Sequence, residues 1–485
     1  MLLLSLLLIP LLGALGLMIF NKSEQALSKK VALAFSGLNL VLFGYVLSVF
    51  QTGDASTLSF SAPWLPDFGL SLSFALDGFS LLLVGLTCLL IPLIVLSTFK
   101  IKYENASLFY GLILLTQVAL IGVFMAQDVF LFYFFFEGAL VPVYFLSIKW
   151  GGPKATKAAF KMFVYTVLGS LFMLVGLVYL YTKAQTGNMQ AIVASIEFLP
   201  ATAQYLLFAG FVLAFAIKMP LFPFHTWQAN AYSESPTAAT MLLGGLLSKM
   251  GVYGLIRLVL PFSPMGVKEY GLFVLTLGVV GLIYGSIVAV KENNLKRLLA
   301  YSSFAHIGLM AAGVLSGTLE GMQGAMFQMM AHGVNTVGLF FVVKIIFERT
   351  GVRSLESLGG LSQDAPRLSI YFMIILLGSV ALPLTNGFVG EFLLLKGVFD
   401  SHTLLGVIAG ISIILGAVYM LRLFQKSMFG EKQDSGQTIK DVSGSESVVL
   451  LVISVLVLIM GVFPNYILKM SEPASVQLLE YLTQI

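Results

Sequence analysis

Charge is what this sequence has least of. Of its 485 residues, 27 are Lys or Arg and 23 are Asp or Glu, 10% in all, where a soluble domain carries roughly 25%. So few charges cannot cover the surface of a soluble multidomain enzyme, and that class is excluded. Disorder is excluded as well, because it needs low hydrophobicity and 58% of this chain is apolar. Cysteine is almost missing. Cys88 stands alone, which leaves no disulfide framework, no Cys-built zinc site and no Fe–S cluster. Neither G-x-G-x-x-G nor G-x-x-x-x-G-K-[ST] occurs, so the common phosphate loops for dinucleotides and ATP are absent. The net charge of +4 is no nucleic-acid signal; it is informative only loop by loop.

What the chain has in abundance is long apolar runs. Polar punctuation divides it into fourteen segments, at 2–20, 31–50, 78–99, 107–126, 129–148, 162–182, 204–224, 237–260, 271–290, 298–316, 322–347, 368–399, 404–424 and 446–464. In lipid, only helices and closed barrels satisfy the backbone. The runs lack the alternation of barrel strands, so the fold is predicted to be an all-α polytopic membrane bundle of about fourteen helices. The Leu-rich start has no basic n-region and no clear small-residue cleavage site, and reads as helix 1 rather than a signal peptide. One alternating set of loops holds 18 of the basic residues, the other only Lys183, Lys268 and Lys469. By the positive-inside rule both termini are expected on the non-cytoplasmic side, with Asp54, Asp67 and Asp77 in a long outer loop after helix 2.

Segments 7 and 12 carry prolines where a helix should continue. A proline lacks the N–H and clashes with the preceding turn. Pro220 and Pro223 therefore free the carbonyls of Ala216 and Met219, and Pro383 interrupts a segment longer than one crossing needs. Breaks at membrane depth are tolerated only inside protein or beside water. The two lie five segments apart, so tandem five-helix units containing them would have opposite topology, the inverted-repeat plan of many transporters. The expected organisation is 1–106 (helices 1–3), 107–260 (helices 4–8), 261–424 (helices 9–13) and 425–485 (helix 14 and a tail). Two ordinary proline kinks are the plainer alternative.

A few ionisable residues fall inside segments, where a charge costs at least a few kcal/mol. Arg257, Lys344, Lys396 and Arg422 lie within a turn or two of a segment end, and snorkelling accounts for them. Glu137, Lys249, His306, His332 and Glu391 lie deep, and Lys218 adjoins the first break. Ion pairs that merely fix helix packing would explain one such group. Six, spread over helices 5, 7, 8, 10, 11 and 12, point to a proton relay, because an acid and a lysine can switch each other's proton affinity and histidine titrates near neutrality.

The same residues sit in a string of motifs. Glu137-Gly138-Ala139-Leu140-Val141-Pro142, Lys218-Met219-Pro220, His225-Thr226-Trp227, Ser235-Pro236-Thr237-Ala238, Leu247-Ser248-Lys249, Tyr301-Ser302-Ser303-Phe304-Ala305-His306, Gln328-Met329-Met330-Ala331-His332 and Gly387-Phe388-Val389-Gly390-Glu391 follow in order from helix 5 to helix 12. This string resembles the antiporter-like subunits of respiratory complex I, which have cousins in Mrp-type sodium/proton antiporters. Glutamate at Glu391, and no long lateral helix after helix 14, match the M type (mitochondrial chain 4). At Leu382-Pro383-Leu384-Thr385-Asn386 the chain departs from the Pro-Gly type sequence that the family often has.

The resemblance implies a proton-translocating membrane-arm subunit, driven by redox chemistry in other chains. It implies that Glu137 and Lys218 form a modulating pair, that Lys249 links towards the centre, that His306 and His332 continue the relay and that Glu391 ends it. No cofactor or metal is expected on this chain; NADH, FMN, Fe–S clusters and quinone are expected in partner subunits. The expected partners are other membrane-arm subunits, especially those of the L and N types, and lipids, with no nucleic acid. The expected location is the cytoplasmic (inner) membrane of a bacterium. An Mrp-type sodium/proton antiporter subunit and a non-conducting membrane scaffold are the rival readings.

Overall fold

The computed structural model describes residues 1–19, 25–53, 58–431 and 440–484. Asp54 and parts of the 21–30 and 425–445 loops lie outside them. Thirteen described helices are long and apolar enough to cross a membrane. They are α1 (Leu2–Ile19), α2 (Gln25–Gln51), α3 (Gly78–Ser97), α4 (Ala106–Met125), α5 (Val129–Trp150), α6 (Ala155–Ala184), α7 (Ala201–Lys218), α8 (Thr237–Phe262), α9 (Pro264–Lys291), α10 (Leu295–Leu315), α11 (Leu319–Thr350), and then α13 (Thr403–Met428) and α14 (Ser445–Val462). Between α11 and α13 lies α12, which is split into Pro366–Ser379 and Asn386–Ser401. The all-α polytopic reading stands, and both proline breaks are present. α7 stops at Lys218, and only a short helix, Gln228–Glu234, precedes α8.

Two elements were not legible as helix or strand. The loop after α2 folds into an antiparallel hairpin, β1 (Ser59–Leu65) against β2 (Leu70–Ala75), turned by Gly69 at φ 61°, where a side chain would be strained. Asp128 anchors it. Its buried carboxylate accepts from the Ser71 N–H at 3.3 Å and caps α5 through the Phe130 and Leu131 N–H groups. Burial holds the Asp128 carboxyl above the ordinary aspartate range, against the pull of those three donors. The tail is also helical: α15 (Asn465–Gln484).

The chain forms two compact units. Unit 1 comprises 1–219, 246–272 and 470–485; unit 2 comprises 220–245 and 273–469. In unit 1, Gly251 and Gly254 bring α8 against Met219 and Phe215 of α7 so closely that an added Cβ would collide with both side chains. In unit 2, Gly324 of α11 and Gly390 of α12 serve in the same way. A Cβ on Gly390 would run into the Gln328 side chain, and one on Gly324 would lie 2.7 Å from the Leu394 nitrogen. Small residues that let helix backbones approach are the usual means of packing inside lipid.

Candidate functional site

In unit 1, the site is built around interruptions of helical hydrogen bonding. α5 divides at Gly138 and Ala139, because Pro142 has no N–H for the Gly138 carbonyl. Glu137 is at that joint. Its Oε1 is buried with no hydrogen-bond partner among the described residues, and its charge acts on Lys218. Lys218, the last residue of α7, is 5% exposed. Its ammonium lies 4.4 Å from the Phe136 ring centroid and donates to the Phe136 carbonyl at 3.4 Å. The Glu137–Lys218 pair is thus electrostatic, with the Lys218 hydrogen bond going to the neighbouring backbone.

Lys249 is 1% exposed and donates to Ser248 Oγ at 3.3 Å. It lies in α8 between two π-helical turns, Leu243–Leu247 and Leu255–Val259. Such turns are rare and recur at functional sites. Nothing in the local composition signals them.

Unit 2 gathers the other three predicted residues into one cluster. His306 Nδ1 lies 3.0 Å from Glu391 Oε1, and the His306 and His332 ring centroids are 5.7 Å apart. The cluster also holds polar residues that the sequence does not single out. Gln328 donates from Nε2 to Glu391 at 3.5 Å. It precedes His332 by four positions, on the same face of α11, and that spacing was the available signal. Thr336 Oγ1 is 3.3 Å from His332 Nε2. Asn335 and Asn386 exchange two hydrogen bonds of 3.1 Å, which fixes the start of the second half of α12 against α11. Ser302 Oγ meets the buried Tyr419 hydroxyl at 3.2 Å. Among these groups is a polar cavity, lined by Ser302, Ser303, His306, Gln328, His332 and Asn335, of ≈ 10 Å³, room for about one water.

The remaining inner cations divide. Lys396 is half exposed and pairs with Glu320 at 3.0 Å and with Asp400, which suits a snorkelling side chain. Arg422 donates to the Val290 carbonyl and to Asn293 at 2.7 Å. Arg257 and Lys344 each have a carboxylate partner as well. Arg257 is held at 2.6 Å by Asp77. Lys344 is 5% exposed and lies 3.5 Å from Glu348.

The chain has relatives among known families and solved structures. Residues 126–416 match the model of the NADH:quinone oxidoreductase/Mrp antiporter transmembrane family. NADH-quinone oxidoreductase subunit M of Rickettsia typhi is 37% identical, over 95% of both chains. F(420)H(2) dehydrogenase subunit M of Methanosarcina mazei is 36% identical, over 96% of this chain and 95% of the other. A chain of respiratory complex I from Thermus thermophilus superposes with a TM-score of 0.90 at 34% identity, covering 99% of this chain and all of that one. The chain therefore belongs to the NADH:quinone oxidoreductase/Mrp antiporter family of transmembrane subunits, on its complex I subunit M branch.

Proposed function

We infer that this chain is a proton-translocating membrane-arm subunit of an NADH:quinone oxidoreductase. The observation that carries the reading is the Glu391–His306–His332 cluster around a water-sized polar cavity, joined by the Glu137 and Lys218 charges at the helix breaks of unit 1. An ionised Glu137 favours the Lys218 ammonium, and protonation of Glu137 withdraws that support. Lys218 and then Lys249 pass the proton on; His306 and His332 relay it by exchanging protons at their two ring nitrogens; Glu391 is the terminal group. His306 lies within hydrogen-bonding range of Glu391, and His332 of Thr336; in this reading water in the cavity between them completes the path.

The finer reading places the first inverted repeat in helices 4–8 and the second in helices 9–13, with both termini on the non-cytoplasmic side of a bacterial inner membrane. Neighbouring subunits are of the L and N types. Electron transfer takes place in other chains, which hold NADH, FMN, Fe–S clusters and quinone. Near-equal identity to M subunits named for NADH and for F(420)H(2) supports this separation, since the electron donor changes while this chain does not. The full-length match to M subunits favours this reading over sodium/proton exchange.

The test is pumping by the assembled complex. Glu137→Gln and Lys218→Ala are each expected to abolish most pumping-coupled turnover. An unchanged proton-to-electron ratio in both variants would overturn the relay assignment. Sodium-dependent dye quenching in vesicles without NADH would favour exchange instead.

A further inference from the structure

Beyond the relay residues, unit 1 holds a second polar column on α8. Lys249, Tyr253 and Arg257 follow at intervals of four and share a face. The Tyr253 hydroxyl donates to the Phe124 carbonyl of α4 at 2.9 Å and accepts from Arg257 Nε at 3.0 Å. Arg257 reaches on to Asp77 at 2.6 Å. Asp77 is itself fixed by a capping box at the start of α3: its carboxylate accepts from the Ser80 N–H at 2.9 Å while the Asp77 N–H donates back to Ser80 Oγ at 2.8 Å. The four groups thus tie three helices together at one end of the unit.

On one side of this clamp the structure is open. A cavity of about 530 Å³ is lined by Asp77, Arg257, Gln127 and Gln190, and by Gln477 and Tyr481 of α15. On the other side are buried polar groups. α4 and α8 both end at the cavity face: the residue after α4 bridges to Phe74 of the hairpin, and Pro261 of α8 accepts from Tyr481. The two helices therefore run in the same direction. Set by the Tyr253–Phe124 bond, Lys249 lies about 6 Å and Gln117 about 10 Å back from the clamp at 1.5 Å per residue. Gln117 is fully buried, and neither its Oε1 nor its Nε2 has a hydrogen-bond partner among the described residues. Buried polar atoms of this kind are commonly satisfied by internal water, and Gln117 and Lys249 are the polar groups on this side of Tyr253 that such water would serve.

We propose that the Asp77–Arg257–Tyr253 clamp is a proton seal, closing the Lys249 column of unit 1 against the cavity beneath α15. The inference rests on the proton-carrying reading of the chain. A guanidinium cannot give up its proton in a protein, so it cannot relay one, and its fixed charge repels a proton arriving from the Lys249 side. The Tyr253 hydroxyl is committed to Phe124 as donor and to Arg257 as acceptor, which leaves it no free hydrogen to pass on. Burial alone would raise the Asp77 carboxyl, but the Arg257 charge and the Ser80 bonds outweigh it and hold the group below the usual aspartate range. Asp77 accordingly stays ionised and keeps Arg257 in place. A proton held by Lys249 then has no exit here and remains available to the rest of the relay.

The experiment uses the assembled complex in sealed vesicles carrying a trapped pH-sensitive dye. Proton entry after an acid pulse is recorded without NADH, and electron transfer is measured separately with it. Arg257→Gln is expected to raise passive entry by about tenfold or more, the effect of losing a barrier of only a few RT, while electron transfer continues. Asp77→Asn, which releases Arg257 towards the cavity, should leak in the same sense and carries the test if R257Q does not assemble. Adding Lys249→Met to R257Q should restore tightness, because the column is then interrupted below the seal. Variants as tight as the native complex would overturn the proposal. So would a leak that persists in the double variant, which would be a packing defect. Failure of the proton-carrying reading would show elsewhere, as absent NADH-driven proton movement in the native complex.

Discussion

The Glu391 carboxylate accepts from His306 and Gln328, donors on two different helices, while Gln328 Oε1 and His306 Nε2 have no hydrogen-bond partner among the described residues. Glu391→Ala breaks the pair outright, and removing one partner of a buried pair costs about 3–5 kcal/mol. Loss of assembly or of heat resistance, read from the melting of the purified complex, is the expected outcome. Glu391→Gln keeps the shape and a hydrogen bond to His306 but cannot ionise. It should assemble normally and lose proton-coupled turnover. The difference between the two variants separates the structural from the proton-carrying role of one side chain. At Asp77 the sign of the pH dependence is fixed. Its folded pKa lies below the unfolded value near 3.9, so its contribution is complete above that value and is lost as the pH falls through the lower folded one. The clamp should therefore hold unchanged from pH 5 to 8.

At the scale of elements, the second break shows how a helix can be stopped without glycine. Ala381 and Leu384 adopt φ of 59° and 71°, a region that costs a side-chain-bearing residue roughly 1–2 kcal/mol. Leu382 N–H to Leu377 O, Thr385 N–H to Leu382 O and the Asn335–Asn386 exchange hold the segment there. Asn386 is fully buried, so Asn386→Leu strands the amide of Asn335 at a cost of about 1–3 kcal/mol. Replacing both asparagines with leucine should recover part of that loss, since no orphaned partner remains. A double-mutant cycle on the thermal stability of the complex checks this, and strictly additive losses would show that the two amides do not act as a pair. Ala381→Gly relieves one strained position and should leave stability equal or higher.

Over the whole molecule, the outward face is apolar. Val175 of α6 and Leu206 of α7 are 70% and 71% exposed, as lipid-facing residues should be. Val175→Arg places an unpaired charge there at a cost of at least about 2.5 kcal/mol, and membrane fractions should contain much less of the variant subunit. Valine to leucine at the same site should be silent. The amphipathic α15 continues the chain past α14 and closes over the 530 Å³ cavity of unit 1.

How much of this was legible in the sequence depended on the range of the interaction. The spans followed from composition, because lipid imposes one rule on every backbone group. The breaks followed from proline, whose missing N–H is a local fact. The six relay candidates stood out because a charge in an apolar run is conspicuous wherever the chain takes it. Tertiary structure alone decided which of them meet. It joined His306, His332 and Glu391 with Gln328 and Asn386, set Lys249 between two π turns, and turned Arg257 from an apparent snorkelling residue into half of a clamp with Asp77, 180 positions away. The sequence determined the solvent, the helices and the costly residues; the partners that make those residues tolerable came only with the packing, because a hydrogen bond between distant segments leaves no periodic trace in either.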